Sequence, residues 1–110
     1  MRIHLISRHT VLNFISQHSG SRASFKEWLK KIKKADLALP GDIKYSFQSA
    51  DVLGRGSNRF IFDVGGNHYR IICKYEFGEN KVRLFVCWIR THGDYDKLCK
   101  DNLQYSIRVY

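Results

Sequence analysis

The sequence is poor in several features that would each define a class of protein. It contains one proline and three cysteines in 110 residues, and Cys73, Cys87 and Cys99 show no CxxC spacing. An odd number of widely spaced cysteines argues against a disulfide framework or a structural zinc site. No apolar run approaches the roughly 20 residues of a membrane span, and the first six residues are too few and too polar for a signal peptide. These absences predict a protein of the reducing cytoplasm.

Acidic residues are also scarce. Ten Asp and Glu residues oppose nineteen Lys and Arg residues, which gives a formal net charge of +9. A field of this sign attracts polyanions. The expected partner is therefore a nucleic acid, an anionic membrane surface or an acidic protein. The alternative is a basic surface that serves only solubility.

Apolar residues are abundant enough to build a core. Hydrophobic residues make up 44% of the chain and aromatic residues 14%, which argues against a disordered chain. The length fits one domain over residues 1–110 and leaves no room for a second.

Helical periodicity marks the first half of the chain. Residues 2–5 fit a short strand, after which Ser7 is suited to cap a helix that runs to about His18. The residues predicted to share the buried face of this helix are Val11, Leu12 and Ile15.

A second helix follows a Ser-Gly-Ser break. It begins at Ser21, or at Ser24, where Ser24 and Glu27 have the spacing of a capping box. An apolar stripe at helical spacing predicts its buried face: Phe25, Trp28, Leu29 and Ile32. Five lysines cover the remainder, either as a solvated face or as phosphate contacts: Lys26, Lys30, Lys31, Lys33 and Lys34. Pro40 suits the first turn of another short helix through Phe47.

The pattern changes to a period of two from Asn58 onward, which is typical of strands. Tight turns are predicted at Gly66-Asn67 and at Glu79-Asn80. The predicted strands cover residues 59–64, 68–77 and 81–91.

A final short helix fits Tyr95 to Lys100, with Asp94 as its cap. The predicted fold is therefore of the α+β class. N-terminal helices pack on a small antiparallel sheet, and a short helix follows that sheet.

The register of the strands can be predicted from the apolar pattern, because a slip of one residue exchanges the two faces of a strand. One face then holds the apolar residues and packs on the helices. The expected cross-strand pairs are Phe62 with Ile71, Ile71 with Trp88, Cys73 with Val86, and Tyr75 with Leu84.

The opposite face is predicted to be basic with interleaved apolar groups. Such a surface can bind phosphates with its cations and stack bases on its rings. Its expected members are Arg59, Asp63, His68, Arg70, Lys74 and Arg83, together with Ile61, Ile72, Phe85 and Ile89.

Cross-strand ion pairs are the alternative for part of this basic face. In that case Arg70 pairs with Asp63, and Arg83 pairs with Glu76. Three cations are still expected to lack an acidic partner, which favours a nucleic-acid surface: Arg59, Lys74 and Arg90.

Two segments stand out: the first has a Gly66-Asn67 turn before Tyr69-Arg70, and the second has Thr91-His92 before Tyr95-Asp96. Both resemble the HigB toxins, within the wider RelE-like ribonuclease fold. Earlier segments are also similar to the family: Ser7-Arg8, Trp28, Lys33-Lys34-Ala35-Asp36 and residues 49–54. The resemblance spans nearly all of residues 2–99. Residues 102–110 extend beyond it, and the pattern assigns them no role.

This resemblance implies a type II toxin with a RelE-like fold. Toxins of this fold cleave mRNA in the ribosomal A site without a metal or other cofactor. The implied partners are mRNA on the ribosome and a HigA-type helix-turn-helix antitoxin, which represses the shared operon. The toxin would thus reach operator DNA only through that antitoxin, and no membrane partner is expected.

The residues allow this chemistry. Metal-free RNA cleavage needs a base for the 2′-OH proton, cations for the phosphorane-like charge and an acid for the leaving 5′-oxygen. Arg70 is a permanent cation that can bind phosphate through two donors. His92 has the side chain for proton transfer near neutrality, and the phenol of Tyr95 can donate or accept. The expected RNA contacts are His68, Lys74, Arg83, Arg90 and Arg59.

Each candidate also has a structural interpretation. His92 can orient the strand-to-helix junction beside Asp94, and Tyr95 can be a core aromatic near Cys99. Asp96 is expected to serve the first turn of the final helix rather than catalysis. The competing functions are a basic RNA- or ribosome-binding module that does not cut, and an interaction domain for an acidic protein.

Overall fold

A five-stranded sheet runs through the computed structural model, which describes residues 1–110. The strands are β1 (Arg2–Ile6), β2 (Asp51–Leu53), β3 (Arg59–Val64), β4 (Tyr69–Phe77) and β5 (Lys81–Thr91). Their order is β1-β5-β4-β3-β2. The α+β class is confirmed. The prediction of a purely antiparallel sheet is wrong, because β1 runs parallel to β5. The strand β2 is not predicted by the sequence pattern.

Four helices accompany the sheet, and none of them combines the length and the hydrophobicity that a membrane span requires. They are α1 (Arg8–Gln17), α2 (Arg22–Lys34), α3 (Ile43–Ser46) and α4 (His92–Lys100), with short 3₁₀ turns at 19–21, 40–42 and 103–105. The first two helices cover one face of the sheet, and α4 lies on the other.

The start of α1 differs from its prediction in two respects. Ser7 does occupy the N-cap position, but its backbone is left-handed (φ 63°) and its side chain makes no capping hydrogen bond. Val11 and Ile15 are buried as predicted, whereas Leu12 is 43% exposed.

The start of α2 is the earlier of the two predicted positions. Ser21 is its N-cap residue, so the prediction of a capping box formed by Ser24 and Glu27 is wrong. The hydroxyl of Ser21 instead donates to the main-chain oxygen of His18 at 2.6 Å. The whole predicted apolar stripe of α2 is buried in the main core, where each large side chain contributes about 1.5–3 kcal/mol of transfer free energy.

The register of the two hairpins is confirmed except at one pair. Phe62 lies opposite Ile71, and Tyr75 lies opposite Leu84. The first turn spans four residues, 65–68, rather than two, and this longer turn leaves the register unchanged. The predicted pairing of Ile71 with Trp88 is wrong, because a β-bulge shifts the register next to Cys73.

The bulge exchanges the faces of two apolar residues. Cys73 still lies opposite Val86, but Ile72 now lies opposite Trp88 and Ile71 opposite Ile89. The side chain of Ile89 therefore joins the main core, and Trp88 joins a second apolar cluster on the opposite face.

This second cluster shows that the predicted basic face is not open. Its members are Ile61, Ile72, Cys87, Trp88 and Leu98, with Leu53, Tyr95 and Ile107 packed against them. Helix α4 and the segment after it, residues 101–110, which we call the tail, supply the cover. The tail thus has a structural role that the sequence pattern does not assign.

Candidate active site

Five of the eight predicted site residues converge where β4 begins and β5 ends. Arg70 on β4 lies opposite Arg90 on β5. The main-chain N–H of His92 donates to the oxygen of His68 at 3.0 Å, which joins the first hairpin turn to the start of α4. Tyr95 follows one turn later. Burial raises the pKa of its phenol, and the nearby positive charge of Arg70 lowers it by a smaller amount. We call these five residues the sheet-end cluster.

Arg70 is held inside this cluster rather than on its surface. The residue is 7% exposed, and its Nε forms an ion pair with Oδ1 of Asp63 at 2.9 Å. A second donor, Nη1, reaches the main-chain oxygen of Tyr69. The predicted alternative of a cross-strand pair is therefore confirmed, and the pair fixes the direction of the guanidinium.

His92 is the first residue of α4, because Thr91 caps the helix. The Thr91 hydroxyl accepts from the N–H of Asp94 at 3.2 Å and donates to its carboxylate at 2.9 Å. The predictions that Asp94 caps this helix and that the helix starts at Tyr95 are therefore both wrong. The strand thus passes into the helix at a single residue, which fixes the backbone of His92 at the junction.

The ring of His92 has one partnered and one unpartnered nitrogen. Nε2 lies 3.4 Å from Oδ2 of Asp96, one helical turn away. Nδ1 is buried and has no hydrogen-bond partner. The carboxylate of Asp96 therefore orients the ring. Asp96 was expected to lie in the first turn of the final helix. This is wrong, because the helix starts at His92 and Asp94 is the acidic residue of its first turn.

Tyr95 is half-buried against the second apolar cluster, and its ring centroid lies 6.1 Å from that of Trp88. Burial raises the pKa of the Tyr95 phenol well above its ordinary value, and the Cys99 thiol raises it further. Tyr95 therefore stays protonated at neutral pH. Its packing agrees with the interpretation of Tyr95 as a core aromatic near Cys99. Its phenol proton remains available for a hydrogen bond.

Arg90 is the exposed cation of the sheet-end cluster. It has no acidic partner: its Nη1 donates to the main-chain oxygen of Ile89 and to the phenol of Tyr110 at 3.2 Å. His68 is also exposed, in the first hairpin turn. These two side chains are the members of the cluster that an incoming polyanion meets first.

The remaining three predicted RNA contacts lie elsewhere. Lys74 is exposed and unpaired, four residues along β4 from Arg70, which is about 13 Å. Arg83 is paired with Glu76 at 3.8 Å, as the alternative predicted. Arg59 lacks an acidic partner, as expected, but it is 5% exposed and donates to the main-chain oxygens of Gln104 and Ile107, so it is not an open cation of this face.

Several contributors to the site are absent from the sequence-based list. Asp96 could have been found from its i+4 spacing to His92, had the helix start been predicted correctly. The tail had no such signal, because its contacts with Arg59 and Arg90 come from main-chain oxygens and a terminal tyrosine. Cys73 is fully buried, and this burial raises the pKa of its thiol.

The chemistry of this arrangement is that of binding and proton transfer. No group of three or more His, Cys, Asp or Glu side chains is arranged to hold a metal ion. Two arginines, an oriented histidine and a protonated phenol share one end of the sheet. They define a small basic α+β protein whose site is suited to a phosphodiester substrate.

Comparison with known proteins gives this class a family. The sequence model of the HigB toxins, described as the RelE-like toxic component of a toxin–antitoxin system, matches residues 21–98. The chain therefore belongs to the HigB toxin family, and its α+β fold is consistent with RelE-like toxins. It is also similar to the mRNA interferase HigB of Escherichia coli O6:H1. The two are 29% identical over 98 residues, which cover 89% of this chain and 93% of that protein.

Proposed function

We propose that this toxin is a metal-independent endoribonuclease that cuts mRNA on the ribosome, in the A site, and thereby stops translation in the cytoplasm. The observation that carries the proposal is the sheet-end cluster, in which cations and proton-transferring groups lie side by side. Membership of a toxin family and similarity to a protein named as an mRNA interferase also support it.

The cluster suggests a role in the cleavage for four of its five side chains. The 2′-oxygen attacks phosphorus and the bond from phosphorus to the 5′-oxygen breaks, while His92 takes the 2′-OH proton. Arg70 and Arg90 stabilise the charge on the phosphorane-like transition state. Tyr95 keeps its proton and donates a hydrogen bond to a non-bridging oxygen, and the leaving 5′-oxygen takes a proton from water.

His92 must move before it can act as this base. Nε2 faces the carboxylate of Asp96 at 3.4 Å, so we assign the ring proton to Nε2 and take Nδ1 as the basic nitrogen; Nδ1 is shielded from solvent. Because the His92 side chain is 43% exposed, a rotation of the ring can bring Nδ1 to bound RNA. Catalytic contacts often tighten only when the substrate binds.

The partners follow from the family. A toxic component requires an antitoxin, and we propose a HigA-type protein with a helix-turn-helix. Operator DNA would then be reached only through that partner. Of the other predicted RNA contacts, Lys74 is free to extend the interface, whereas Arg59 lies beneath the tail and is not accessible to RNA in this conformation.

Two observations favour a second candidate, a basic module that binds RNA or the ribosome without cutting. Asp63 already neutralises Arg70, and Nδ1 of His92 is not accessible. Such a module would arrest growth by occupying the ribosome.

Mapping of RNA 5′ ends in cells after brief induction tests the two candidates. Wild type, Arg70→Ala and His92→Ala are compared with a control, His4→Ala, which removes an exposed histidine of β1. New in-frame ends with wild type and the control, but with neither site variant, support the nuclease. Growth arrest without new ends would replace the nuclease with the binding module. New ends from a site variant at the wild-type level would remove that residue from the mechanism.

A further inference from the structure

A cleft of about 640 Å³ lies beside the sheet-end cluster, between α1 and the tail. It forms because β1 pairs with β5 only as far as Ile6 and Phe85. Beyond that point β1 no longer covers this side of β5. Val86 and Arg90 of β5 line the cleft. Arg90 belongs to both the cleft and the sheet-end cluster, so the two are continuous.

The cleft is electropositive. Arg90 and Arg108 line it, and no Asp or Glu side chain does. Neither arginine is paired with an acidic side chain; Arg90 donates to the phenol of Tyr110, and Arg108 donates through Nε to the main-chain oxygen of Tyr110 at 3.3 Å. The polar side chains of Asn13 and Gln17 add hydrogen-bonding groups to the wall. Two guanidinium groups in a concave site without an acidic side chain favour an anion, and phosphate fits the donors that remain free on each.

The cleft also offers flat aromatic surfaces. His18 stacks on Phe14 with ring centroids 4.0 Å apart and an angle of 12°. His18 is exposed and lines the cleft. On the other side Arg108 lies over the ring of Phe85 at 5.6 Å. Rings and guanidinium planes are the surfaces on which proteins stack unpaired bases.

We propose that this cleft binds a nucleotide of single-stranded RNA next to the scissile phosphate. Arg90 and Arg108 hold the backbone phosphate, and His18 stacks on the base. An acidic peptide would satisfy the arginines but would have no use for the stacked histidine. The placement next to the scissile phosphate rests on the proposed function, whereas RNA binding in the cleft does not.

The test is the affinity of the purified full chain for a short, fluorescent, fully 2′-O-methylated RNA, measured by anisotropy over a range of salt concentrations. This probe keeps phosphates and bases but lacks the 2′-OH that attacks phosphorus, so it reports binding alone. We expect Arg108→Gln to weaken binding several-fold and to lower the slope of log K against log salt by about 0.7, the value for one phosphate contact. His18→Ala loses base stacking and weakens binding about fivefold or more.

Arg22→Gln is the matched control, because it removes one exposed arginine of α2 outside the cleft. If Arg22→Gln weakens binding as much as Arg108→Gln, the effect is one of net charge and the cleft proposal is wrong. Wild-type affinity in both cleft variants would overturn it as well. Removal of residues 108–110 should weaken binding, because it removes one wall. Tighter binding after that removal would identify the tail as a cover over the RNA site and overturn the proposal.

The outcomes separate this proposal from the nuclease. Loss of binding in the cleft variants, with no new RNA ends in cells, would keep the subsite and reject cleavage. New RNA ends in cells, with unchanged binding in the cleft variants, would keep the nuclease and reject the subsite.

Discussion

The guanidinium of Arg59 donates a hydrogen bond of 2.6 Å to the main-chain oxygen of Ile107, which lies 48 residues further along the chain. A second bond of 3.2 Å reaches the oxygen of Gln104. The cation is almost completely buried, and carbonyl oxygens rather than a carboxylate satisfy it. Arg59 therefore fastens the tail over the second apolar cluster.

Replacement of Arg59 by Met should release the tail while keeping apolar volume under it. We expect the free energy of unfolding to fall by about 2–3 kcal/mol, since hydrogen bonds of a charged donor are lost. Urea denaturation measures this loss. Limited proteolysis should cut the variant within the released part of the tail, residues 105–110. Lys74→Met is the control, because Lys74 is the exposed cross-strand neighbour of Arg59. Equal protease resistance in both variants would show that Arg59 does not fasten the tail.

Thr91→Ala should destabilise the start of α4 by about 1 kcal/mol, the usual effect of losing an N-cap hydroxyl. Thr91→Ser keeps the hydroxyl and should retain nearly all of the stability. Thermal denaturation of the two variants measures the difference. A Thr91→Ser protein as unstable as Thr91→Ala would assign the effect to the lost methyl group instead of the cap.

His92→Ala should lower the rate of RNA cleavage about 100-fold or more, since it removes the proposed general base. Asp96→Asn should reduce kcat less and leave KM unchanged, because Asp96 orients the His92 ring without touching RNA. Steady-state cleavage of mRNA on programmed ribosomes gives both kcat and KM. Asp101→Asn, at an exposed position after α4, controls for the loss of one negative charge. A change in KM alone would make Asp96 part of the binding surface.

The buried phenol of Tyr95 should make the fold sensitive to alkali. Burial raises the pKa of Tyr95, so the unfolded chain releases this proton at lower pH than the folded protein does. The stabilisation is fully present below the ordinary pKa of 10.0 and is lost as the pH rises toward the higher pKa of the folded state. Above pH 10 the melting temperature should thus fall more steeply for wild type than for Tyr95→Phe. Tyr45→Phe is the control, because Tyr45 is 88% exposed, and it should follow the wild type.

Much of the sheet could be predicted, because alternation along β3 and β4 admits one register. The prediction failed at Cys87-Trp88-Ile89, where three successive apolar residues give no alternation. Any of the three can face the core, so the sequence does not reveal the bulge. The parallel pairing of β1 was equally inaccessible, since no local pattern selects a partner 79 residues away, as Lys81 is from Arg2.

The sequence predicted most residues of the candidate site, but it did not predict how they are arranged and covered. Arg70, Arg90, His92 and Tyr95 do meet, because a hairpin brings the start of β4 beside the end of β5. The cover over the basic face was missed, although Ile61 and Ile72 indicated it. Large aliphatic residues on a face that also carries cations need a partner layer, and α4 and the tail supply that layer.

The pairing of β1 with β5 also bears on how the toxin is made. The ribosome synthesises β1 first and β5 last among the strands, so β1 has no neighbour in the sheet until most of the chain has emerged. Contacts so distant in sequence close late and slowly. The end of β5 also carries Arg90 and leads directly into His92. A nascent chain therefore acquires its sheet-end cluster only after β5 and the start of α4 have left the ribosome, which gives an antitoxin already present in the cell time to meet it.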